Sequence, residues 1–178
     1  MAGKKFVLRL NRLTAALAVL MAHAAGAHAA AVAAVDDAGA TIRLPRPAQR
    51  IVALAPHVTE QLFAVGAAER IVATTDFADY PPAAMQIPRV ARAHSVDLER
   101  VAAARPDLIV VWGSGFPPAV IEALRRLGVP VYVNEPAALE SIATSLERLA
   151  VLTGGNAAIA ADFRARRDAL RARYAERA

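Results

Sequence analysis

Apolar residues between positions 50 and 153 follow two alternating patterns, short continuous runs and longer helical repeats. The short runs are rich in β-branched residues and cover residues 51–54, 71–74, 108–112 and 129–133. Runs without polar alternation are typical of strands that are buried on both faces of a parallel sheet. Helical patterns separate them at residues 58–65, 98–104, 118–127 and 139–152. The alternation therefore predicts an α/β fold, with an open parallel sheet sandwiched between helices.

Capping residues support these boundaries. Asp97 precedes the second helical pattern as its predicted N-cap. A glycine follows three of the patterns, at Gly66, Gly128 and Gly154. Because glycine readily adopts the left-handed conformation, it commonly ends a helix at such positions.

Two segments flank this region. Residues 30–49 include Pro45 and Pro47, which predict an irregular lead-in. Residues 154–178 predict a long C-terminal helix that begins after Asn156 and has few apolar positions. Since so narrow an apolar stripe does not stabilise an isolated helix, this helix needs a surface on which to pack.

The first 29 residues have the layout of a secretory signal peptide. Basic residues at positions 4, 5, 9 and 12 precede an apolar run over residues 13–22 and the small-residue tract Ala27-His28-Ala29. The apolar run is shorter than the ~20 residues that span a bilayer. We therefore expect export with cleavage after Ala29, or alternatively after Ala33, and no membrane insertion afterwards.

Charge and cysteine content narrow the function classes. The net charge is +5, but removing the four basic residues of the signal segment leaves 17 basic and 16 acidic residues. Arginines in the final helix alternate with acidic residues, which predicts a solvated face and no nucleic-acid binding. The chain has no cysteine, so disulfides, thiolate metal sites and lipid attachment through cysteine are excluded.

Aromatic residues follow two of the predicted strands. Trp112, the single tryptophan, ends the third strand and precedes Gly113-Ser114, while Phe77 lies in the loop after the second strand. Parallel α/β sheets bind ligands at the carboxyl ends of their strands. Because a flat ring can stack on a broad planar molecule, Trp112 and Phe77 are predicted ligand contacts. Tyr80, in the same loop as Phe77, is predicted to pack beneath its turn.

A dinucleotide-binding fingerprint is incomplete. Gly113-x-Gly115 follows a strand and Glu135 comes about twenty residues later, as that fingerprint requires. Pro118 occupies the third glycine position, where it removes the backbone N–H and prevents close packing. The pair of glycines therefore predicts a glycine-rich turn that can line a ligand site.

Histidines and nucleophile motifs give little support for catalysis. His57 and His94 are the histidines that remain after signal cleavage, and neither shows metal-ligand spacing. His57 is predicted to cap a helix or line the cleft, and His94 to lie on the surface. No Walker loop, nucleophile elbow or Ser/His/Asp arrangement is present. We therefore predict no catalytic residue, no metal site and no enzyme activity.

Several motifs occur in a characteristic order: Arg50-Ile51-Val52-Ala53-Leu54, Ala55-Pro56-His57-Val58-Thr59-Glu60, Asp79-Tyr80-Pro81-Pro82, Asp97-Leu98-Glu99-Arg100, Arg105-Pro106-Asp107-Leu108-Ile109 and Leu127-Gly128-Val129-Pro130-Val131. Together they resemble the first lobe of the periplasmic solute-binding proteins that deliver cobalamin, haem or ferric siderophores to ABC importers. The resemblance implies a class III periplasmic-binding-protein fold, with residues 50–153 as the N-terminal lobe and residues 154–178 as the inter-lobe helix. The second lobe would be absent, as in a gene fragment or a frameshifted product.

The cobalamin-binding members are the most similar, because Trp112 beside Gly113 resembles their corrin-contacting site. Phe77 occupies a place where they carry an aromatic residue. The resemblance implies these ligand contacts: Pro56, His57, Phe77, Trp112, Gly113 and Ser114. Glu99 corresponds to the exposed glutamate by which such proteins dock on arginines of the membrane permease.

The predicted function is thus periplasmic binding of a corrinoid by a monomer that delivers it to an importer permease. No resident cofactor is expected, since cobalamin would be the transported ligand. Haem or a ferric siderophore is the alternative ligand, and His94 could then be an axial metal ligand. Two further alternatives are an exported interaction module that uses Glu99 without binding small molecules, and a metal-dependent enzyme that uses His57 and His94.

Overall fold

The computed structural model describes residues 30–175, which form a sheet with helices on both faces. The strands are β1 (Val32–Val35), β2 (Thr41–Leu44), β3 (Ile51–Leu54), β4 (Ile71–Thr75), β5 (Arg89–Arg92), β6 (Ser95–Val96), β7 (Leu108–Trp112) and β8 (Val131–Asn134). The α-helices are α1 (Pro56–Ala64), α2 (Leu98–Ala103), α3 (Pro118–Arg125), α4 (Leu139–Thr153) and α5 (Ala158–Tyr174). Short 3₁₀ turns cover Ala68–Arg70 and Pro82–Gln86. None of the helices within residues 30–175 has the length and apolar character needed to cross a membrane.

Six strands form the main sheet in the order β6-β5-β4-β3-β7-β8. All neighbouring strands are parallel except β5 and β6, which are antiparallel. In register, Ile51 of β3 lies between Ile71 of β4 and Leu108 of β7, and Trp112 of β7 lies opposite Asn134 of β8. The carboxyl ends of β3, β4, β7 and β8 therefore meet at one edge of the sheet.

The strands are buried on both faces, as their uninterrupted apolar runs predict. Ile51 and Ala53 of β3 belong to a core shared with α1, α4 and α5. Val52 and Leu54 of the same strand face the opposite core, which contains residues of α2 and α3. Because successive strand residues point to opposite faces, a continuous apolar strand is needed to fill both layers.

The α/β sandwich followed by a long C-terminal helix is confirmed. The strand prediction at 51–54 and that at 108–112 match the structure, and the other two predicted strands differ by one or two residues. Asp97 accepts a hydrogen bond from the Arg100 N–H as the predicted N-cap of α2. Gly66, Gly128 and Gly154 have positive φ angles after their helices. Strands β5 and β6 were not predicted.

The prediction of an irregular lead-in over residues 30–49 is wrong for most of that segment. Strands β1 and β2 form an antiparallel hairpin whose turn lies beside the free edge of β8. The Asp36 carboxylate accepts from the Val133 N–H, and the Asp37 carboxylate accepts from the Glu135 N–H. Pro45 lies directly after β2, so the prolines limit the hairpin without preventing it.

Helix α5 packs on α4, which supplies the surface that its narrow apolar stripe requires. Ile159, Ala160 and Phe163 contact the core on this face. Arg164 forms ion pairs with Glu140 and Glu147 of α4, at 2.7 Å from the Glu140 Oε1 atom. The arginines of α5 are therefore only partly a solvated face, since some of them join the two helices.

Candidate functional site

Three of the six predicted ligand contacts, Pro56, Phe77 and Trp112, line one pocket at the carboxyl edge of the sheet. A pocket of about 240 Å³ opens there, and its lining includes Pro56, Phe77, His94, Trp112 and Phe116. Pro56 begins α1 directly after β3, Phe77 follows β4, and Trp112 ends β7. The parallel topology thus brings residues distant in sequence to one place, as expected for a ligand site in an α/β sheet.

The aromatic side chains at this edge are open to solvent. Phe77 is 76% exposed and Trp112 is 39% exposed, although both are large apolar residues. Phe77 also has a φ of 65°, in the left-handed region that a bulky residue rarely adopts. A strained and exposed apolar residue beside a pocket is a feature of binding sites more than of packing sites.

The indole of Trp112 is held by neighbours on several sides. His57 contacts it edge-on, with 5.5 Å between ring centroids and an interplanar angle of 90°. A Cβ atom placed on Gly115 would lie 2.5 Å from Trp112 Cε3, so the glycine backbone sits directly against the ring. The indole N–H donates to the Glu135 carboxylate at 3.3 Å. These contacts fix the orientation of the ring and leave part of its surface open to the pocket.

His57 has a defined protonation state. Its Nε2 atom lies 3.1 Å from Asn134 Oδ1, and the Asn134 amide nitrogen donates to Ser145 Oγ at 2.9 Å. Because the amide oxygen can only accept, His57 Nε2 carries the hydrogen. Burial lowers the pKa of His57 below its ordinary value, although the Asn134 hydrogen bond and the charges of Glu135 and Glu60 act in the opposite direction. His57 is therefore a neutral imidazole at pH 7.

Glu135 is a central residue of this edge that the sequence did not predict as a site residue. Besides the Trp112 indole, its carboxylate accepts from the Ser114 N–H at 2.6 Å and from the Ser114 hydroxyl at 2.9 Å. Desolvation raises the pKa of Glu135, but the hydrogen bonds from Ser114 and Trp112 outweigh it and lower the pKa overall. Glu135 is thus an ionised carboxylate that is hydrogen-bonded to the Trp112 indole, although it does not itself line the pocket.

Three predictions about individual residues have different outcomes. Tyr80 does not pack beneath its turn, since it is 68% exposed, so that prediction is wrong. His94 is exposed as predicted, yet it lines the pocket and its Nδ1 atom donates to the Gly115 carbonyl at 3.1 Å. Three predicted ligand contacts do not line the pocket: Gly113 and Ser114 form the turn that Glu135 holds, and His57 packs edge-on against Trp112.

Glu99 lies apart from this pocket. It is exposed in the first turn of α2, and no ion pair is found for it among residues 30–175. Its role in docking stays a prediction. In the same part of the chain, no group of three or more His, Asp or Glu side chains is arranged to hold a metal ion. The proposed signal segment, residues 1–29, lies outside the described residues.

Comparison with known proteins connects this fold to a family. The model of the periplasmic binding protein family matches residues 51–176. The vitamin B12-binding protein of Vibrio cholerae serotype O1 is 38% identical over 134 residues, which cover 74% of this chain and 49% of that protein. The vitamin B12-binding protein of Vibrio campbellii is also 38% identical, over 133 residues that cover 72% and 48% of the two chains.

Comparison with solved structures finds proteins of the same kind. The periplasmic vitamin B12-binding protein of Vibrio cholerae superposes with a TM-score of 0.68 and 38% identity over 72% of this chain and 52% of that one. A periplasmic heme-binding protein from Pseudomonas aeruginosa gives a TM-score of 0.64 and 28% identity over 72% and 46% of the two chains. The chain spans about half the length of the curated relatives it matches. With its sheet order, its aromatic carboxyl edge and this family match, the chain belongs to the periplasmic binding protein family.

Proposed function

We propose that this chain binds a broad planar ligand, a corrinoid such as cobalamin, as part of the solute-binding subunit of an ABC importer. The observation that carries the proposal is the open pair of aromatic side chains, Phe77 and Trp112, at the carboxyl edge of the sheet. Relatives named as vitamin B12-binding proteins support the choice of ligand.

The exposed rings would supply affinity through apolar contact. Covering a side chain of the size of phenylalanine contributes about 1.5–3 kcal/mol. Trp112 offers less free surface than Phe77, but its fixed orientation reduces the entropy lost on binding. The neutral imidazole of His57 keeps Trp112 in place without adding a charge beneath an apolar ligand.

Quenching of tryptophan fluorescence tests this proposal directly, because the full sequence contains a single tryptophan at the site. Addition of cyanocobalamin should quench Trp112 emission in a saturable way, since the corrin absorbs where tryptophan emits. Phe77→Ala should weaken binding by roughly tenfold to a hundredfold, from the area that the side chain loses. Met85→Ala is the matched control, because Met85 is 55% exposed but does not line the pocket.

The ligand claim fails if neither cyanocobalamin nor haemin quenches Trp112 in a saturable way. Haem is the second candidate, because the Pseudomonas aeruginosa relative is named for it. Saturable quenching of Trp112 by haemin, with no quenching by cyanocobalamin, would support haem as the ligand over the corrinoid.

Delivery to a permease would use Glu99. Its exposed carboxylate, without an ion pair in the described part of the chain, is available to a basic partner. A charge of this kind affects orientation and association rate more than affinity. Glu99→Lys should slow association with the importer's membrane subunits, whereas Glu69→Lys, at the amino end of β4, should not. Equal association rates for the two variants would exclude docking through Glu99.

Export to the periplasm would precede these steps. The basic and apolar layout of residues 1–29 supports a cleaved signal segment. Mass spectrometry of the exported protein should find an N-terminus at residue 30 or 34. An exported protein that retains residues 1–29 would contradict this part of the proposal.

A further inference from the structure

The carboxylate of Glu135 lies against the turn that follows β7. Three polar hydrogens converge there: the Trp112 indole N–H, the Ser114 backbone N–H and the Ser114 hydroxyl. Convergent N–H and O–H groups of this kind commonly bind carboxylate or phosphate oxygens. All three donate to the two oxygens of one carboxylate in this chain.

We propose that Glu135 is a specificity-determining residue that makes this site select planar ligands without a carboxylate near Trp112. The inference rests on the proposed function, since it concerns the ligand of the same pocket. Glu135 acts in two ways. It occupies the donors of the turn that an anionic ligand near Trp112 could use, and it places a negative charge beside the Trp112 indole.

The turn is shaped to hold Glu135 closely. A Cβ atom on Gly113 would lie 2.9 Å from Glu135 Oε2, so a larger residue there would push the carboxylate away. From the other side, the Glu135 backbone N–H donates to Asp37 Oδ2 at 2.7 Å. Asp37 is itself held by Arg148 at 2.6 Å. The carboxylate is thus positioned by the turn, by β8 and by the hairpin together.

The other charges near the pocket do not offset Glu135. No lysine or arginine lines the pocket within the described residues. Asp76 lines it and pairs with Arg92 at 3.8 Å, and the side chain of Arg92 is 86% exposed. The cation on Arg148 is engaged by Asp37, and His57 is neutral. A ligand carboxylate placed near Trp112 would therefore meet the like charge of Glu135 and no lysine or arginine among the residues that line the pocket.

Two corrinoids with the same axial ligands test this inference. Dicyanocobinamide carries amides around its ring, whereas dicyanocobyrinic acid carries carboxylates. Because the two ligands differ in this way around the whole ring, the comparison does not depend on which edge of the ring lies near Trp112. Trp112 fluorescence should show that the wild-type chain prefers dicyanocobinamide by roughly tenfold or more at low salt, where like charges repel most strongly. Glu135→Ala should reduce this preference by roughly fivefold or more, because it frees the donors and removes the charge.

Two variants serve as controls. Glu69→Ala removes the same charge at the opposite end of the sheet and should leave the preference unchanged. Glu135→Gln keeps the size of the side chain and should also reduce the preference, which guards against a folding defect in Glu135→Ala. A change in orientation of Trp112 alone would weaken both ligands equally and leave their ratio unaltered.

The possible results separate the two proposals. Equal affinity of the wild-type chain for both corrinoids, or an unchanged ratio in both Glu135 variants, overturns the role of Glu135 but leaves corrinoid binding intact. Absence of binding by either corrinoid and by cyanocobalamin refutes the proposed function itself, and the inference with it.

Discussion

Replacing Gly115 by alanine tests whether Trp112 is held as the structure indicates. The added methyl group would lie 2.5 Å from Trp112 Cε3 and 2.8 Å from Trp112 Cδ2. Unstrained carbon contacts lie at about 3.5–4.0 Å, so one of the two groups must move. The ring is 39% exposed and can turn outwards, whereas the backbone of the turn is held through Ser114 by Glu135.

The cost of this movement can be bounded. Overpacking that the structure cannot relieve costs about 1–3 kcal/mol. Outward rotation of the ring relieves the overlap but breaks the hydrogen bond from the indole to Glu135, which is long at 3.3 Å. Since a hydrogen bond to a charged group contributes about 1.5–3 kcal/mol when well formed, this one contributes less. We therefore expect Gly115→Ala to reduce the free energy of unfolding by about 1–2 kcal/mol.

Urea unfolding followed by far-ultraviolet circular dichroism measures this cost. The matched control is the same substitution in a Trp112→Ala background, where the new methyl group meets no ring. The cost of Gly115→Ala should then fall to within about 0.5 kcal/mol of zero, so the double-mutant cycle isolates the contact. Tryptophan emission of the single variant should shift to longer wavelength as the ring becomes more exposed. The same cost in both backgrounds would refute the proposed contact.

Three further predictions concern the surroundings of the site. The free energy of unfolding of the wild-type chain should fall as the pH drops below 6.5, because His57 binds a proton more readily in the unfolded chain than in the folded one, where burial lowers its pKa. His57→Gln should make this decline smaller, as measured by urea unfolding at about pH 5.5 and at about pH 7.5. Asp37→Asn should lower the free energy of unfolding by about 1–3 kcal/mol, since its ion pair with Arg148 is partly buried, and an unchanged urea midpoint would contradict this role. Asp97→Ala should cost about 1 kcal/mol through loss of the N-cap of α2, whereas restoring a cap with Asp97→Ser should recover most of the thermal stability.

The central fold could be predicted because its local signals agree with each other. Strands β3 and β7 are short apolar runs, and in each case a proline at the first turn of the next helix follows, so composition and turn chemistry indicate the same order of elements. Strands β5 and β6 were missed because they are short and interrupted by polar residues. Their pairing depends on neighbouring strands in the sheet, which no local pattern contains.

The hairpin was missed for a related reason. Strand β1 is built largely from alanine and valine and continues an alanine-rich tract, so its alternating pattern is weak. The side chains that fix it, Asp36 and Asp37, act on β8 almost a hundred residues away. Tertiary hydrogen bonds of this range leave no local pattern in the sequence.

The sequence predicted the two aromatic residues of the site but did not predict that Glu135 belongs to it. Trp112 and Phe77 follow predicted strands, and strand ends in a parallel sheet predict a shared edge. Glu135 was noticed only as part of an incomplete dinucleotide fingerprint. It also follows a predicted strand, so the same topological rule would have placed it beside Trp112 once β8 was set next to β7.

The acidic turn of the hairpin has a consequence for the behaviour of the molecule in solution. An outer strand with unpaired amide groups can recruit a strand from another molecule and start aggregation. Here the amides of Val133 and Glu135 are occupied by carboxylates of the same chain, which cannot extend the sheet further. Loss of the two aspartates would therefore leave the outer border of β8 open to strand addition from another molecule.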